Sequence, residues 1–178
     1  MTQNANNQVE SNNQGSCFEP VRIEHKGSMS LAGISVVTTN ADELSGNGQL
    51  GALWTKFYAN NISELLKEGA DDQAIYGCYT DYENDATGRY RLLIGMRIHN
   101  AADKPVGLDA VTTPAAKYAV FTTSRGAIQE VVAQAWVAIW QWSASSSMNR
   151  TYTGDFEYYD ERCADPTNAQ VDIYIAIE

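Results

Sequence analysis

The sequence is short of the residues that most often carry chemistry. It holds two His and three Cys in 178 residues, and Cys17, Cys78 and Cys163 show no CxxC spacing. An odd, scattered set does not describe a disulfide framework. Thiols with only His25 and His99 to join them do not describe a zinc site. No GxSxG, HExxH or P-loop segment occurs. No metal and no cofactor are therefore expected. Basic residues are scarce too: 12 Lys and Arg stand against 22 Asp and Glu, a formal net charge of −10. Nucleic acid is held by cationic side chains that neutralise phosphates, and anionic membranes attract the same groups, so neither is an expected direct partner. The charge attracts cations instead, over a range that salt shortens. No apolar run approaches the ~20 residues of a membrane-spanning helix. The first residues also lack the basic start and apolar stretch of a signal peptide, and cytoplasm is the expected compartment.

What is present divides the chain in two. Residues 1–17 form a polar tract rich in Asn, Gln and Ser, with almost nothing to bury, and disorder is expected there. Residues 18–178 read as one domain. Val21 to Thr38 is β-branched and apolar with a break at Gly27-Ser28, which predicts one interrupted strand or two short ones. Asn40 to Gly48 reads as a loop. Leu50, Leu53, Trp54, Phe57 and Tyr58 recur at helical spacing, and a second helical stretch runs from Ile62 to Glu68 before Gly69. Strands follow at Ala74–Tyr82 and Arg89–Ile98, joined by a turn with Asn84, Asp85 and Gly88. After a loop with Pro105 and Gly107 come a strand at Lys117–Thr123 and a helix from Ala127 to about Ser143. Val131, Ala135, Ile139 and Trp142 form its apolar face, and strands at Arg150–Tyr159 and Gln170–Ile177 complete the chain.

This order is β-α-β-β twice, in half-repeats of about 18–100 and 105–178. Residues echo it: Tyr79 to Glu83 resembles Tyr152 to Glu157, Val36 to Thr39 resembles Val120 to Thr123, and Ile94 to Met96 resembles Ile175 to Ile177. The expected fold is α+β, with duplicated βαββ units in one antiparallel curved sheet, two helices on one face and a central ligand cleft between the halves.

Within the segment Asp155 to Asp160, strand alternation puts Asp155, Glu157 and Tyr159 on one face and Phe156, Tyr158 and Asp160 on the other. The plain reading is a solvated acidic face. The sharper one turns Glu157 into the cleft, where a carboxylate that is costly to desolvate would select a cation. The chain also carries 4 Trp, 10 Tyr and 4 Phe, and aromatic faces attract delocalised or quaternary cations. Trp54 and Trp140 lie on corresponding helices, and Tyr76, Tyr79, Tyr90, Tyr152 and Tyr174 lie on strands expected to floor the cleft. At least half of the aromatics are expected to fill the core.

Leu53-Trp54, Tyr79 to Tyr82, Tyr90 to Ile98, Asp155 to Asp160 and Asp172 to Ile177 together make the chain resemble the GyrI-like small-molecule-binding domain. This is the effector-binding module of AraC-type and MerR-type multidrug regulators, and the resemblance spans about residues 20–178. It implies that Glu157 lies inside the pocket and meets cationic ligands, and it sets Asp172 where some members have a second acid. An extra Tyr before Asp160 and Ala176 in place of a frequent Pro depart from the pattern. The chain is similar to free-standing forms carried on integron cassettes, so no DNA-binding domain of its own is expected. The reading is a binding module for amphipathic, cationic organic compounds. Glu157 and Asp172 are its candidate acids, and Trp54, Tyr58, Tyr90, Phe121, Trp140 and Tyr174 its candidate aromatics. A small-molecule hydrolase with Glu157 as base and a protein-inhibitory module that mimics nucleic acid are the alternatives, and a homodimer is left open.

Overall fold

The computed structural model describes residues 18–178; the expected disordered tail, Cys17 included, lies outside them. Eight strands form one sheet: β1 (Arg22–Lys26), β2 (Met29–Thr39), β3 (Ile75–Thr80), β4 (Arg89–Ile98), β5 (Asp109–Thr113), β6 (Ala116–Thr122), β7 (Asp155–Tyr159) and β8 (Asp172–Ile177). Four helices join them: α1 (Asn40–Ser45), α2 (Leu50–Ala59), α3 (Ile62–Leu66) and α4 (Ile128–Ser145). The protein is thus α+β, and every strand pair is antiparallel.

The sheet order β1-β6-β8-β7-β3-β4-β2-β5 is a palindrome once β1–β4 and β5–β8 are taken as equivalents. The edge strands are exchanged: β1 pairs with β6 of the second half and β5 with β2 of the first. Registers repeat as well. Ser30 opposite Ile98 is answered by Lys117 opposite Ile177, and Tyr76 opposite Gly95 by Phe156 opposite Tyr174. This equivalence sets Gly77 on Glu157 and Tyr79 on Tyr159. The tetrapeptide matches visible in the sequence slip against it, because they set Glu83 on Glu157. Glu83 is an exposed residue beside the β3–β4 turn.

Three apolar clusters hold the layers together. Leu53, Phe57, Ile62 and Leu66 of α2 and α3 pack on Ala32, Ile34, Leu92 and Ile94. Ala135, Ile139 and Trp142 of α4 pack on Ala119, Phe121, Ile173 and Ile175. A fully buried side chain of this size contributes about 1.5–3 kcal/mol over its exposed state, which offsets the modest helix propensity of the β-branched residues among them. The third cluster, with Leu31, Leu93, Tyr118, Phe156 and Tyr174, lies on the helix-free face of the sheet. That face buries its side chains by curling. A Cβ on Gly154, just before β7, would come within 2.6 Å of Thr113 on the edge strand β5. Gly33 and Gly95 stand opposite each other in the β2–β4 ladder, where a Cβ on either would lie 1.9 Å from the other strand's backbone. Only glycine permits that approach.

Several expectations are corrected. Asn40–Ser45 is helical rather than looped: the Thr39 hydroxyl accepts from the Asp42 N–H at the N-terminus, and Gly46 closes the helix at φ 85°. With the expected helical stretches at Leu50–Ala59, Ile62–Leu66 and Ile128–Ser145 it makes four helices. Strand β5 forms where only a loop was foreseen. Strand β7 begins at Asp155 rather than Arg150, because Tyr152 and Gly154 take φ of 53° and 157° and break the extended backbone.

Candidate functional site

Two neighbouring central strands place the site. Gly77 of β3 stands opposite Glu157 of β7. Strand alternation turns Glu157 toward the helices, while Phe156 goes into the cluster on the helix-free face. A Cβ on Gly77 would lie 2.7 Å from Glu157 Oε2, so the bare glycine leaves the volume that the carboxylate fills. Glu157 is 2% exposed. Its Oε1 accepts from the Tyr79 hydroxyl at 2.8 Å and from the Trp136 indole N–H at 2.7 Å. Its Oε2 accepts from the Tyr159 hydroxyl at 2.7 Å. The equivalent tyrosines of the two halves thus hold opposite oxygens of one carboxylate.

Two tryptophans cover the tyrosines in a crossed arrangement. Trp136 of α4, in the second half, meets Tyr79 of the first edge-on at 4.9 Å between centroids. Trp54 of α2, in the first half, meets Tyr159 of the second edge-on at 5.1 Å. Trp136 is therefore the counterpart of Trp54, and Trp140, the expected counterpart, lies one turn further along. Cavities open on either side. One of about 240 Å³ is lined by Leu44, Leu50, Tyr79, Tyr90, Trp136 and Trp140, with Arg150 in its wall. The other, about 850 Å³, is more polar and is lined by Tyr58, Asp72, Tyr159 and Glu161 among others. The smaller cavity has an apolar lip, since Leu44 is 75% and Val137 49% exposed.

Three acids are buried on the strands, and their partners differ. Asp155 accepts from Arg150 Nη2 at 2.6 Å, from the Tyr82 hydroxyl at 2.9 Å and from the Ala176 N–H at 2.7 Å. Asp172 faces Arg22 at 3.1 Å and Arg162 at 3.2 Å, with the Thr122 hydroxyl at 2.7 Å. Burial pushes the Asp172 carboxyl up, but Arg162, Thr122 and Arg22 together hold it below the usual carboxylate range. Glu157 has only neutral donors. Burial pushes its carboxyl up, and Trp136, Tyr159 and Tyr79 offset that push only in part. Burial and the neighbouring carboxylate likewise raise the phenols of Tyr79 and Tyr159 well above the ordinary value. Both therefore stay protonated and donate. Among the described residues, no Lys, Arg or His lies within ion-pair distance of Glu157.

The expected site residues separate on these coordinates. Glu157 lies at the centre, and Trp54 reaches it through Tyr159. Tyr90 and Trp140 line the smaller cavity and Tyr58 the larger. Phe121 is corrected to core, stacked on Phe18 at 5.3 Å and edge-on to Trp142 at 4.9 Å. Tyr174 and Asp172 are corrected to the helix-free side of the sheet, because residues at even positions of β8 turn away from the helices while Ile173, Ile175 and Ile177 face α4. Tyr76 lies on that side too. Trp136, Tyr82 and Arg150 were not singled out from sequence, and Tyr159 was placed only on the strand face it shares with Glu157. Only the equivalence with Trp54 could have marked Trp136. His25 and His99 are exposed. Cys78 is buried in the helix-free cluster, where burial pushes its thiol up.

The pattern of the integron-associated effector binding protein family matches residues 22–177. The chain belongs to this family. It is 36% identical over 156 residues to YobU of Bacillus subtilis, a protein named as a candidate transcriptional regulator, with 88% of this chain and 96% of that one covered. The integron cassette protein VCH_CASS2, from the mobile metagenome of Vibrio cholerae, superposes with a TM-score of 0.70 at 30% identity, covering 88% of this chain and 95% of that one. The fold is also that of SAV2435, solved bound to tetraphenylphosphonium, with a TM-score of 0.72 at 19% identity over 88% and 93% of the two chains. No helix of the described residues is long and apolar enough to cross a membrane.

Proposed function

We propose that this effector-binding protein binds amphipathic organic cations by seating the cationic centre against Glu157, between the Trp54–Tyr159 and Trp136–Tyr79 pairs. The observation that carries this reading is the partner set of the buried acids. Asp155 and Asp172 have arginines, whereas Glu157 is equally buried and has none. A desolvated anion without a counter-charge is stabilised by whatever cation reaches it, and aromatic faces beside it add cation–π attraction. The phosphonium bound to SAV2435 is a ligand of the same chemical kind on the same fold.

The smaller cavity is the approach. Tyr79 and Trp136 line it and also hold Glu157, so a rotation of the Trp136 ring joins cavity to carboxylate. At about 240 Å³ the cavity is below the ~300–1,000 Å³ of common ligand sites, so the reading requires the Trp136 ring to give way to the ligand. Affinity comes mainly from apolar burial, at ~25 cal/mol per Å², and the carboxylate sets the preference for charge. The hydroxyls beside Glu157 belong to Tyr79 and Tyr159, whose raised pKa values keep both protonated as donors to the carboxylate, and this favours binding over turnover.

The test is titration of the wild type and Glu157→Gln with tetraphenylphosphonium and with the neutral triphenylphosphine oxide. A loss of at least about tenfold for the cation, roughly 1.4 kcal/mol, with little change for the neutral compound, supports the reading. Equal cation affinity in both proteins removes Glu157 from it.

A further inference from the structure

Arg150 is held in an unusual way for a buried arginine. Its side chain is 3% exposed and its Nη2 is bonded to Asp155, also fully buried. Its guanidinium lies over the Tyr152 ring at 4.4 Å, and the Tyr82 hydroxyl bonds the same Asp155 oxygen. The Nε–H is a buried donor without an acceptor among the described residues. Leaving such a donor unmet is destabilising, and arginine's planar fork cannot rotate one N–H toward a new acceptor without giving up another. Arg150 also stands in the wall of the 240 Å³ cavity that Tyr79 and Trp136 share with Glu157.

We infer that Arg150 Nε is a second recognition point, for a neutral hydrogen-bond acceptor on the ligand: a carbonyl, ester or amide oxygen at the far end from its cationic centre. This rests on the cation reading of Glu157 and narrows the ligand class within it. Charge decides between a neutral and an anionic acceptor. Asp155 already compensates the guanidinium, and Glu43 also lines the cavity, so a ligand carboxylate would face two acids there. A dipole with a free lone pair satisfies the donor without that repulsion. The favoured molecule is an apolar or aromatic cation with a polar, uncharged oxygen spaced from its charge. Rings such as Tyr90 and Trp140 line the path between the two points.

The experiment compares two phosphonium salts of equal chain length, heptyltriphenylphosphonium and (3-ethoxycarbonylpropyl)triphenylphosphonium, on the full-length wild type and on Arg150→Lys. Lysine keeps the charge opposite Asp155 and removes the Nε donor, and a thermal melt checks that the variant is folded. Arg150→Met with Asp155→Asn, which removes the buried charges together, serves if the lysine variant unfolds. The readout is the ratio of the two affinities, which cancels what the shared head group contributes. The ester-to-heptyl ratio is expected to fall about tenfold in the variant. An unchanged ratio, with both compounds bound, overturns the role of Arg150 and leaves Glu157 standing. Failure of either salt to bind the wild type overturns the cation reading itself, and this inference with it.

Discussion

The functional asymmetry of the protein rests on a single pair of residues, Gly77 and Glu157, which occupy equivalent places in the two halves and face each other across the ladder. Because a Cβ on Gly77 would meet Glu157 Oε2 at 2.7 Å, Gly77→Ala is expected to displace the carboxylate from its three donors. The variant should destabilise the protein by about 1–3 kcal/mol and weaken binding of a phosphonium cation, as read by denaturant titration and fluorescence titration. The ionisation of Glu157 gives a second handle. Its folded pKa lies above the unfolded value because of burial, so the stability it supports is full below the ordinary carboxylate range and is lost as pH rises through the raised value. Glu157→Gln lacks that loss. The empty variant should therefore melt higher than the wild type at neutral pH, with the gap closing toward about pH 4. The proposed cation binding has the opposite sense, since it needs the ionised form. It should strengthen as pH rises from the ordinary carboxylate range, near pH 4, through the raised value in the wild type and stay flat in Glu157→Gln. At this scale alternation along β7 showed which residues share a face with Glu157, and the resemblance to the GyrI-like domain turned that face inward. Gly77 was not legible, because a missing side chain leaves no chemical signal until its neighbour across the sheet is known.

Helices α2 and α4 each serve two layers. Val131, Ala135, Ile139 and Trp142 of α4 are its buried face, the same four positions that helical spacing singles out. Trp136 stands beside that face and reaches Glu157. The two functions should separate by mutation. Ile139→Ala, at a fully buried position, is expected to cost about 2–5 kcal/mol in denaturant unfolding while the pH dependence of binding keeps its midpoint. Trp136→Phe keeps an aromatic ring and removes one of the donors that hold the carboxylate's pKa down. It should move the midpoint of that pH dependence upward, measured by titration at a series of pH values. Trp140 was the candidate named from the sequence, where nothing local distinguishes it from Trp136 one turn earlier. The choice is made by Tyr79, which lies on a strand of the other half. Helix α1 had its signal in Thr39 and Asp42, a capping pair hidden in a polar stretch. Strand β5 had only Val111 to Thr113, and it is a strand because β2 offers it an edge.

At the scale of the whole molecule, exchange of β1 and β5 means that neither half completes its own sheet. A fragment of residues 18–100 would leave β3 without β7, β2 without β5 and β1 without β6, with apolar strand edges open to water. It is expected to show little ordered structure by circular dichroism alone, and more when mixed with residues 105–178. The β-α-β-β order and the helix-covered face were readable from hydrophobic period and turn residues. The exchange and the curl were not, because both depend on pairings between segments far apart in the chain. The near-twofold arrangement also bears on the stoichiometry of the proposed binding. A fold written twice offers two places for an effector, yet its two halves share the one place where Gly77 and Glu157 meet. A second carboxylate there, as in Gly77→Glu, would lie against the first, and such a pair would hold a proton between them rather than two charges. On the proposed reading, one cation per chain is the capacity that a site on the axis of its own repeat allows.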